Sequence, residues 1–576
     1  MNKVAFSLLF IILFINSNLS AQYQPKNISH SDQKKAQQWV DKTYQSLSQD
    51  EKLGQLFIVA LYTNKDENHI NQVRNIVTND KIGGLILMQD DAAKEINLVN
   101  EFQQKSKVPL MIGMDAEWGL YQRIAAAHKF PWAMTLGAIQ DKNLIYQMAA
   151  KIAEDCKRMG INWDFAPVVD VNTNPNNPII GNRSFGSEVS NVIQSALSYS
   201  NGLQDHHILA AIKHFPGHGD TSTDSHLDLP LVSHNMGRLN SIELAPFKAL
   251  MDKGIGGVMV AHLYVPSLEP EKGIPASISK NIITGLLKEK FGYRGLIITD
   301  ALNMGAVANK YKPGELDALA FKAGNDIMLF SQGVAEGKRL IQKAIEQGEI
   351  SQKRVEESVK KILLTKYYLG LNQYTLKQPE NVNYDLNNDS HKTLVQNLYS
   401  HALTLIKDDK KLLPLNCKNT CYYVPLEEAP YQTFADQLNL NATVVIKKSS
   451  EISSIPANST VIVGFHKDNS TAYKPYKISM ESKKVLADLA KNQNVILNVF
   501  GSAYALKDID LSKVSSVLVS YENNDDSMTA TADAISGKTK ISGRLPVLVN
   551  DQLKAGMGIT LEASQFSKST EFTTSK

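Results

Sequence analysis

Between residues 35 and 370 short apolar runs alternate with amphipathic stretches, and this alternation restricts the fold more than any other feature of the chain. The runs at 56–60, 84–88, 110–114, 163–169, 210–214, 256–262, 296–300 and 327–330 have strand length, and stretches such as 143–159 and 242–251 have helical periodicity. Strand and helix in turn imply parallel βαβ units. Eight units in this span predict an α/β fold, a closed (β/α)8 TIM-like barrel rather than an open sheet. Asp115, the Asp170 region, Lys213 with His214, His262 and Asp300 each end one of the runs, so a barrel would gather them at one mouth.

A chain of 576 residues exceeds what one core usually supports, so a second domain is expected. The helical stretch 352–369 closes the first region, and the polar, Asn-rich stretch after it reads as a linker. The predicted division is a leader at 1–21, a catalytic barrel at 30–371, a linker at 372–390 and a smaller α/β sandwich at 391–565. Runs at 402–406, 421–424, 443–446, 460–464, 495–499 and 517–521, with a helix at 480–491, carry the last of these. Lys3, the apolar stretch 4–15 and the small residues Ser20 and Ala21 form the pattern of a cleaved export signal. The apolar stretch is shorter than the ~20 residues of a membrane span. No Cys follows the cleavage region, so a lipid anchor is not indicated, and the mature chain is expected in a periplasm or outside the cell.

The formal charge of +3 and the lack of a long Lys/Arg run argue against nucleic acid or an anionic membrane as partner. Three cysteines exclude a disulfide scaffold. Cys417 and Cys421 could pair or remain free thiols, and Cys156 reads as core packing.

Chemistry concentrates at residues 213–230, KHFPGHGDTSTDSHLDLP, a Gly- and Pro-punctuated loop that follows an apolar run. A solvated connector is the plain alternative, but Lys213 and His214 stand at a strand's C-terminal end, the ligand-binding edge of α/β sheets. Asp224, Ser225 and His226 form a unit in which Asp224 can fix the tautomer of His226, which then donates and recovers a proton. A serine between them in sequence does not meet the geometry of a triad. Asp300 ends the run GLIIT and is predicted to project into the mouth, a carboxylate opposite a proton donor as in retaining glycoside cleavage; a helix N-cap is its structural alternative. Asp115, Arg123, Arg183, Lys213 and His214 are the remaining pocket candidates, suited to gripping sugar hydroxyls.

The loop, together with NRSFG at 182–186, VMVAH at 258–262 and ITDALNM at 298–304, resembles glycoside hydrolase family 3. More narrowly it is similar to the β-N-acetylglucosaminidase branch, whose signature is KHFPGHGDT followed by DSH. The resemblance implies Asp300 as nucleophile, His226 as acid/base and Asp224 as its partner. It also implies Asp115, Arg123, Arg183, Lys213 and His214 as sugar ligands, with no cofactor and a carbohydrate carrying a non-reducing terminal N-acetylglucosamine as the substrate. Many members read DQEGGRVQR where this chain has DAEWGLYQR at 115–123, so the adjoining subsite differs here. SGRLPV at 542–547 resembles the family's second domain, which in glucosidase members supplies an acidic acid/base that the DSH unit makes unnecessary.

Three other readings stay open at this point: a β-glucosidase or β-xylosidase of the same architecture, a metal-dependent hydrolase using His214, His218, Asp220, Asp224 and His226, and a non-catalytic sugar-binding protein. The absence of an HxH or HExxH pattern weighs against the metal enzyme. Peptidoglycan fragments, chitin oligomers and other glycans remain as natural substrates.

Overall fold

The computed structural model describes residue 25 and residues 28–564, apart from residues 90, 224–227, 416–419, 472 and 473. The leader, Asp224, His226 and Cys417 therefore lie outside the described residues. Eight parallel strands form the first sheet: β1 (Phe57–Leu61), β2 (Gly84–Leu87), β3 (Met111–Met114), β4 (Trp163–Asp164), β5 (Leu209–Phe215), β6 (Gly257–Val260), β7 (Leu296–Thr299) and β8 (Met328–Leu329). The spatial order β7-β6-β5-β4-β3-β2-β1-β8 follows the sequence around the sheet, and a parallel bridge between Ile298 and Ile327 joins its two ends. This is the expected barrel.

Helices between the strands bury one face each against it. Lys142–Met159 buries Ile145, Met148, Ile152 and Met159 at helical spacing. It begins at Asp141, whose side chain accepts from the Asn143 N–H, and ends at Gly160 in the left-handed region.

The sequence predicts a strand over 163–169, whereas β4 keeps only two residues. Pro167 has no N–H to give a ladder, so the chain leaves regular pairing there and returns at Val169, whose N–H donates to the Lys213 carbonyl at 2.8 Å. That departure carries the buried Asp170 to the His214 ring and the His218 N–H.

The second sheet contains β9 (Thr404–Asp408), β10 (Cys421–Leu426), β11 (Val444–Ile446), β12 (Thr460–His466), β13 (Asn494–Phe500) and β14 (Ser516–Val519) in the order β11-β10-β12-β13-β14-β9. Only β9 runs antiparallel. Strand alternation decides which residues face which layer. Ile462, Ile496 and Leu518 pack with Phe434, Met528 and Ile535 of the helices Gln432–Asn439 and Asp525–Ile535. Val461, Val463, Val495, Leu497 and Val517, one residue out of phase, join a hydrophobic cluster continuous with that of the barrel. Cys421 is disulfide-bonded and Cys156 is a buried free thiol. The Asn-rich segment before the helix Asp389–Ala402 packs against the barrel through buried Val382 and Leu386. Arg158 donates to Asp385 from the barrel side at 2.7 Å. No described helix is long and apolar enough to cross a membrane.

Asp326, just before β8, ties the barrel wall to the helix Gln352–Tyr368. Its buried carboxylate accepts from the Ile297 N–H at 3.0 Å, from Lys361 Nζ at 2.8 Å and from Ser358 Oγ, with Arg354 at 3.6 Å and Lys288 at 3.9 Å. Burial raises its pKa, but the three cations outweigh burial and hold it well below the usual carboxylate range. Removing the anion leaves those cations partly buried without a counter-charge. Asp326→Ala should therefore cost about 3–5 kcal/mol of stability, read from the urea unfolding midpoint.

Candidate active site

At the carboxyl ends of the barrel strands lies a cavity of about 620 Å³ whose wall includes Asp115, Arg123, Arg183, Lys213, His214 and Asp300. All six expected pocket residues within the described part of the chain thus share one cavity. Asp224 and His226 lie outside the described residues.

Lys213, at the end of β5, is 2% exposed and donates to Asp115 Oδ1 at 2.9 Å; its ammonium also sits 2.8 Å from Glu117 Oε1. Arg123 donates to the other oxygen of Asp115 at 2.7 Å. Arg183 holds Glu117 in a two-pronged contact, Nε to Oε2 at 2.9 Å and Nη2 to Oε1 at 2.7 Å. Burial by itself would raise both carboxyl pKa values, but the facing cations outweigh it, holding Asp115 well below the usual range and Glu117 at about 2. The two anions in turn raise the pKa of Lys213 against the opposing effect of burial, so it stays charged.

Arg183 also places Nη2 3.2 Å from His214 Nε2. A guanidinium can only donate, so Nε2 accepts and the ring proton resides on Nδ1, which donates to Asp170 Oδ2 at 2.7 Å. Asp170 also accepts from the His218 N–H at 2.7 Å. The loop is further pinned by Asn177, which donates to the His218 carbonyl at 2.8 Å, and by Asn174, which donates to the Thr221 carbonyl at 3.1 Å. His218 is held neutral by burial, which lowers its pKa to about 4.

Asp300 follows β7 and its N–H donates to the Val260 carbonyl at 2.8 Å. Its Oδ1 accepts from the Ala301 N–H at 2.8 Å. Burial by itself would raise its pKa, but the surrounding positive field, Lys213 included, and the Ala301 N–H outweigh burial and hold it below the usual carboxylate value. Asp164 is the exception beneath the cavity. Burial lifts its pKa to about 7, against the Ala116 N–H at 3.0 Å, the nearby Lys213 charge and the Tyr199 hydroxyl at 3.2 Å.

Glu117 and Asp170 carry as much of this network as the predicted ligands, yet neither was assigned a role from sequence. The cue for Glu117 was its position two residues beyond Asp115, where a bend can return it to the same side. The chain then turns at Gly119 with φ of +80°, where a Cβ would lie 2.6 Å from the Phe130 ring. Nothing local could have found Ser470 and Thr471, which reach the cavity wall from the second domain.

Among the described residues one grouping has ligand atoms close enough for a metal ion, Asp220, His234 and Glu243. Arg238 already bonds both carboxylates there, at 3.2 Å to Asp220 and 3.1 Å to Glu243. His214 and His218 are not part of it.

The sequence profile described as "Glycosyl hydrolase family 3 N terminal domain" matches residues 48–365. Beta-hexosaminidase A of Pseudoalteromonas piscicida is 31% identical over 83% of this chain and 91% of its own length. A beta-N-acetylglucosaminidase/beta-glucosidase of Cellulomonas fimi is 28% identical over 66% of this chain and 68% of its own. Among solved structures, a glycoside hydrolase family 3 beta-N-acetylglucosaminidase from Paenibacillus sp. str. FPU-7 superposes with a TM-score of 0.71 at 29% identity, covering 88% of this chain and 99% of that one.

Because the pKa of Glu117 is lowered from 4.5 to about 2, the stability it contributes is complete above about pH 4.5 and is lost as the pH falls toward 2. Glu117→Gln should lower the thermal unfolding midpoint at pH 7 and flatten the acid side of the stability–pH curve. Parallel melts of both proteins from pH 7 to 3 check this.

Proposed function

The chain belongs to glycosyl hydrolase family 3 and is a glycoside hydrolase, and we propose that it is a retaining exo-β-N-acetylglucosaminidase with Asp300 as nucleophile and His226, backed by Asp224, as acid/base. The observation that carries this reading is an ionised Asp300 on the wall of a cavity shared with two cation-bound carboxylates, Asp115 and Glu117. A carboxylate so placed can attack the anomeric carbon of a terminal sugar while a donor protonates the leaving oxygen. Water, deprotonated by the same donor, then releases the sugar from the Asp300 ester with net retention. Asp115, Arg123, Lys213, His214 and Arg183 present charged donors and acceptors in fixed directions, which suits a ring bearing hydroxyls in one plane. The roles of His226 and Asp224 rest on the sequence signature.

β-Glucosidase activity is the second reading, favoured by the double name of the Cellulomonas fimi relative. Rates on aryl N-acetylglucosaminide and aryl glucoside separate the two. Export, with peptidoglycan fragments or chitin oligomers as the natural substrate, belongs to the same proposal and is supported by the apolar leader pattern at 1–21. Hydrolysis of a panel of defined disaccharides by the purified protein identifies the substrate.

Asp300→Ala should lower kcat at least about 10³-fold while the fold is retained, and a mechanism-based fluoro-sugar should label Asp300, found by peptide mass spectrometry. Labelling at another residue would remove the assignment. Activity should survive chelation, and its loss would restore the metal-dependent reading. If an imidazolium is the acid, kcat/KM should fall as the pH rises through about 6.5–7, the range in which an unperturbed His loses its proton. His226→Glu should shift that limb.

A further inference from the structure

We propose that the face of the barrel opposite the catalytic mouth carries a binding site for a small oxyanion, a phosphate ion or the phosphoryl group of a phosphomonoester, set between the starts of β4 and β5 and the segment after the helix Gln352–Tyr368. The site is independent of the reaction proposed above.

A cavity of about 200 Å³ lies there, walled by residues 160–162 just before β4, by His207 and Ile208 just before β5, and by the stretch 369–377. In a parallel barrel the starts of the strands lie at the end away from the catalytic residues. The volume is below the ~300–1,000 Å³ of sites for drug-sized ligands and several times the ~30 Å³ share of one water. A small polyatomic group fits it better than a sugar ring or a single bridging water.

Buried donors without partners stand on this wall. Asn162 is 6% exposed, and its Oδ1 accepts from the Ile112 N–H at 3.1 Å. A backbone N–H can only donate, so that bond fixes the amide's orientation and leaves Nδ2 to donate elsewhere. Nδ2 is buried and has no hydrogen-bond partner among the described residues. The Tyr374 hydroxyl is likewise buried and unpartnered among the described residues, and burial lifts its pKa to about 12, so it keeps its proton. Gly160, with φ of +78°, makes room for it, since a Cβ there would lie 3.0 Å from the hydroxyl oxygen. Two buried polar groups left unpaired on one wall are a cost that a ligand's acceptor oxygens would offset.

Charge has the matching sign. Lys157, Lys377 and His207 surround the cavity, and no carboxylate lines it. Burial lowers the pKa of all three, and neighbouring cations lower each further: Lys377 acts on Lys157, Arg158 on Lys377, and Lys157 with His206 on His207. Glu154 acts the other way on Lys157. A bound anion would relieve this mutual repulsion. Lys157 also complements the negative end of the helix Lys142–Met159, but helix capping does not account for the cluster. The Cys156, Lys157, Thr365 and Tyr367 carbonyls at the two helix ends already accept from the Ile161, Gly160, Leu369 and Gly370 N–H groups. Lys377 lies beyond both helices, where its backbone is fixed by Asn100, which accepts from its N–H at 3.0 Å and donates to its carbonyl at 2.7 Å.

Calorimetric titration of the full chain with inorganic phosphate and with glycerol 3-phosphate, at pH 7 and fixed ionic strength in chloride, reads the site. Wild type should bind at least one of them at one site per chain with a Kd below about 1 mM, and the tighter of the two tells whether the free ion or a phosphoryl group is the better fit. Lys377→Gln and Tyr374→Phe should each raise that Kd about tenfold while keeping the unfolding midpoint measured without phosphate. Asn162→Ala should weaken binding as well; because Asn162 joins β3 to β5, the other two variants carry the test if it does not fold. Phosphate should also slow acetylation of Lys157 and Lys377, followed by peptide mass spectrometry. A wild type with no saturable binding of either probe, or a Kd unchanged in both Lys377→Gln and Tyr374→Phe, overturns the site.

Discussion

Lys213 is the residue on which the mouth of the barrel depends. Its ammonium is buried at the end of β5 between Asp115 and Glu117, and neither charge set is tolerable without the other. From that centre the contacts run outward through Arg123, through Arg183 to His214, and from His214 to Asp170. Alternating charges of this kind leave the carboxylates ionised and their side chains with little freedom. The energy that burial would charge against each group is offset by its neighbour, so the site is preorganised before a ligand arrives.

The position of Asp300 fits the same logic. Among the described residues it makes no direct ion pair, and a backbone N–H from Ala301 orients one of its oxygens. A carboxylate that is ionised but not locked in a salt bridge keeps its nucleophilic lone pairs for a substrate. Asp115 and Glu117, each held by two cations, are suited to binding instead. Three carboxylates in one cavity therefore differ in their described partners, in keeping with the roles proposed for them.

The second domain is joined to the barrel by more than proximity. The Ser187 N–H donates to the Pro546 carbonyl at 3.0 Å and the Arg544 N–H to the Ala138 carbonyl at 3.0 Å, so the SGRLPV segment is stitched to the barrel backbone. Gly186 permits this approach, because a Cβ there would lie 2.1 Å from the Pro546 carbonyl oxygen. Glu522, 1% exposed, adds a buried anion across the same boundary. Such an interface, continuous with the hydrophobic core, gives the domain a fixed placement at the cleft.

Eight apolar runs at strand spacing were enough to specify the barrel, because burial on both faces makes each parallel strand a local, readable signal. Residues at the ends of those runs were readable for the same reason, since a barrel delivers strand ends to one mouth whatever lies between them. The length of β4 was not, because the run 163–169 is apolar throughout and only the missing N–H of Pro167 interrupts its ladder. Glu117 looked like an ordinary loop acid until Arg183 arrived from 66 residues away, and Asp170, readable only as the end of a run, gained its partner His214 from 44 residues away. The share of the second domain in the cleft left no trace in sequence. Glu522 and Trp132 are 390 residues apart, and no local pattern registers a hydrogen bond across that distance. The amino-acid order by itself determined the elements, their alternation and the acids and bases at their ends, since those follow from nearest-neighbour burial. Tertiary structure alone decided which charges pair and which stays available, because Coulomb energy and desolvation depend on separations that exist only once the chain has closed.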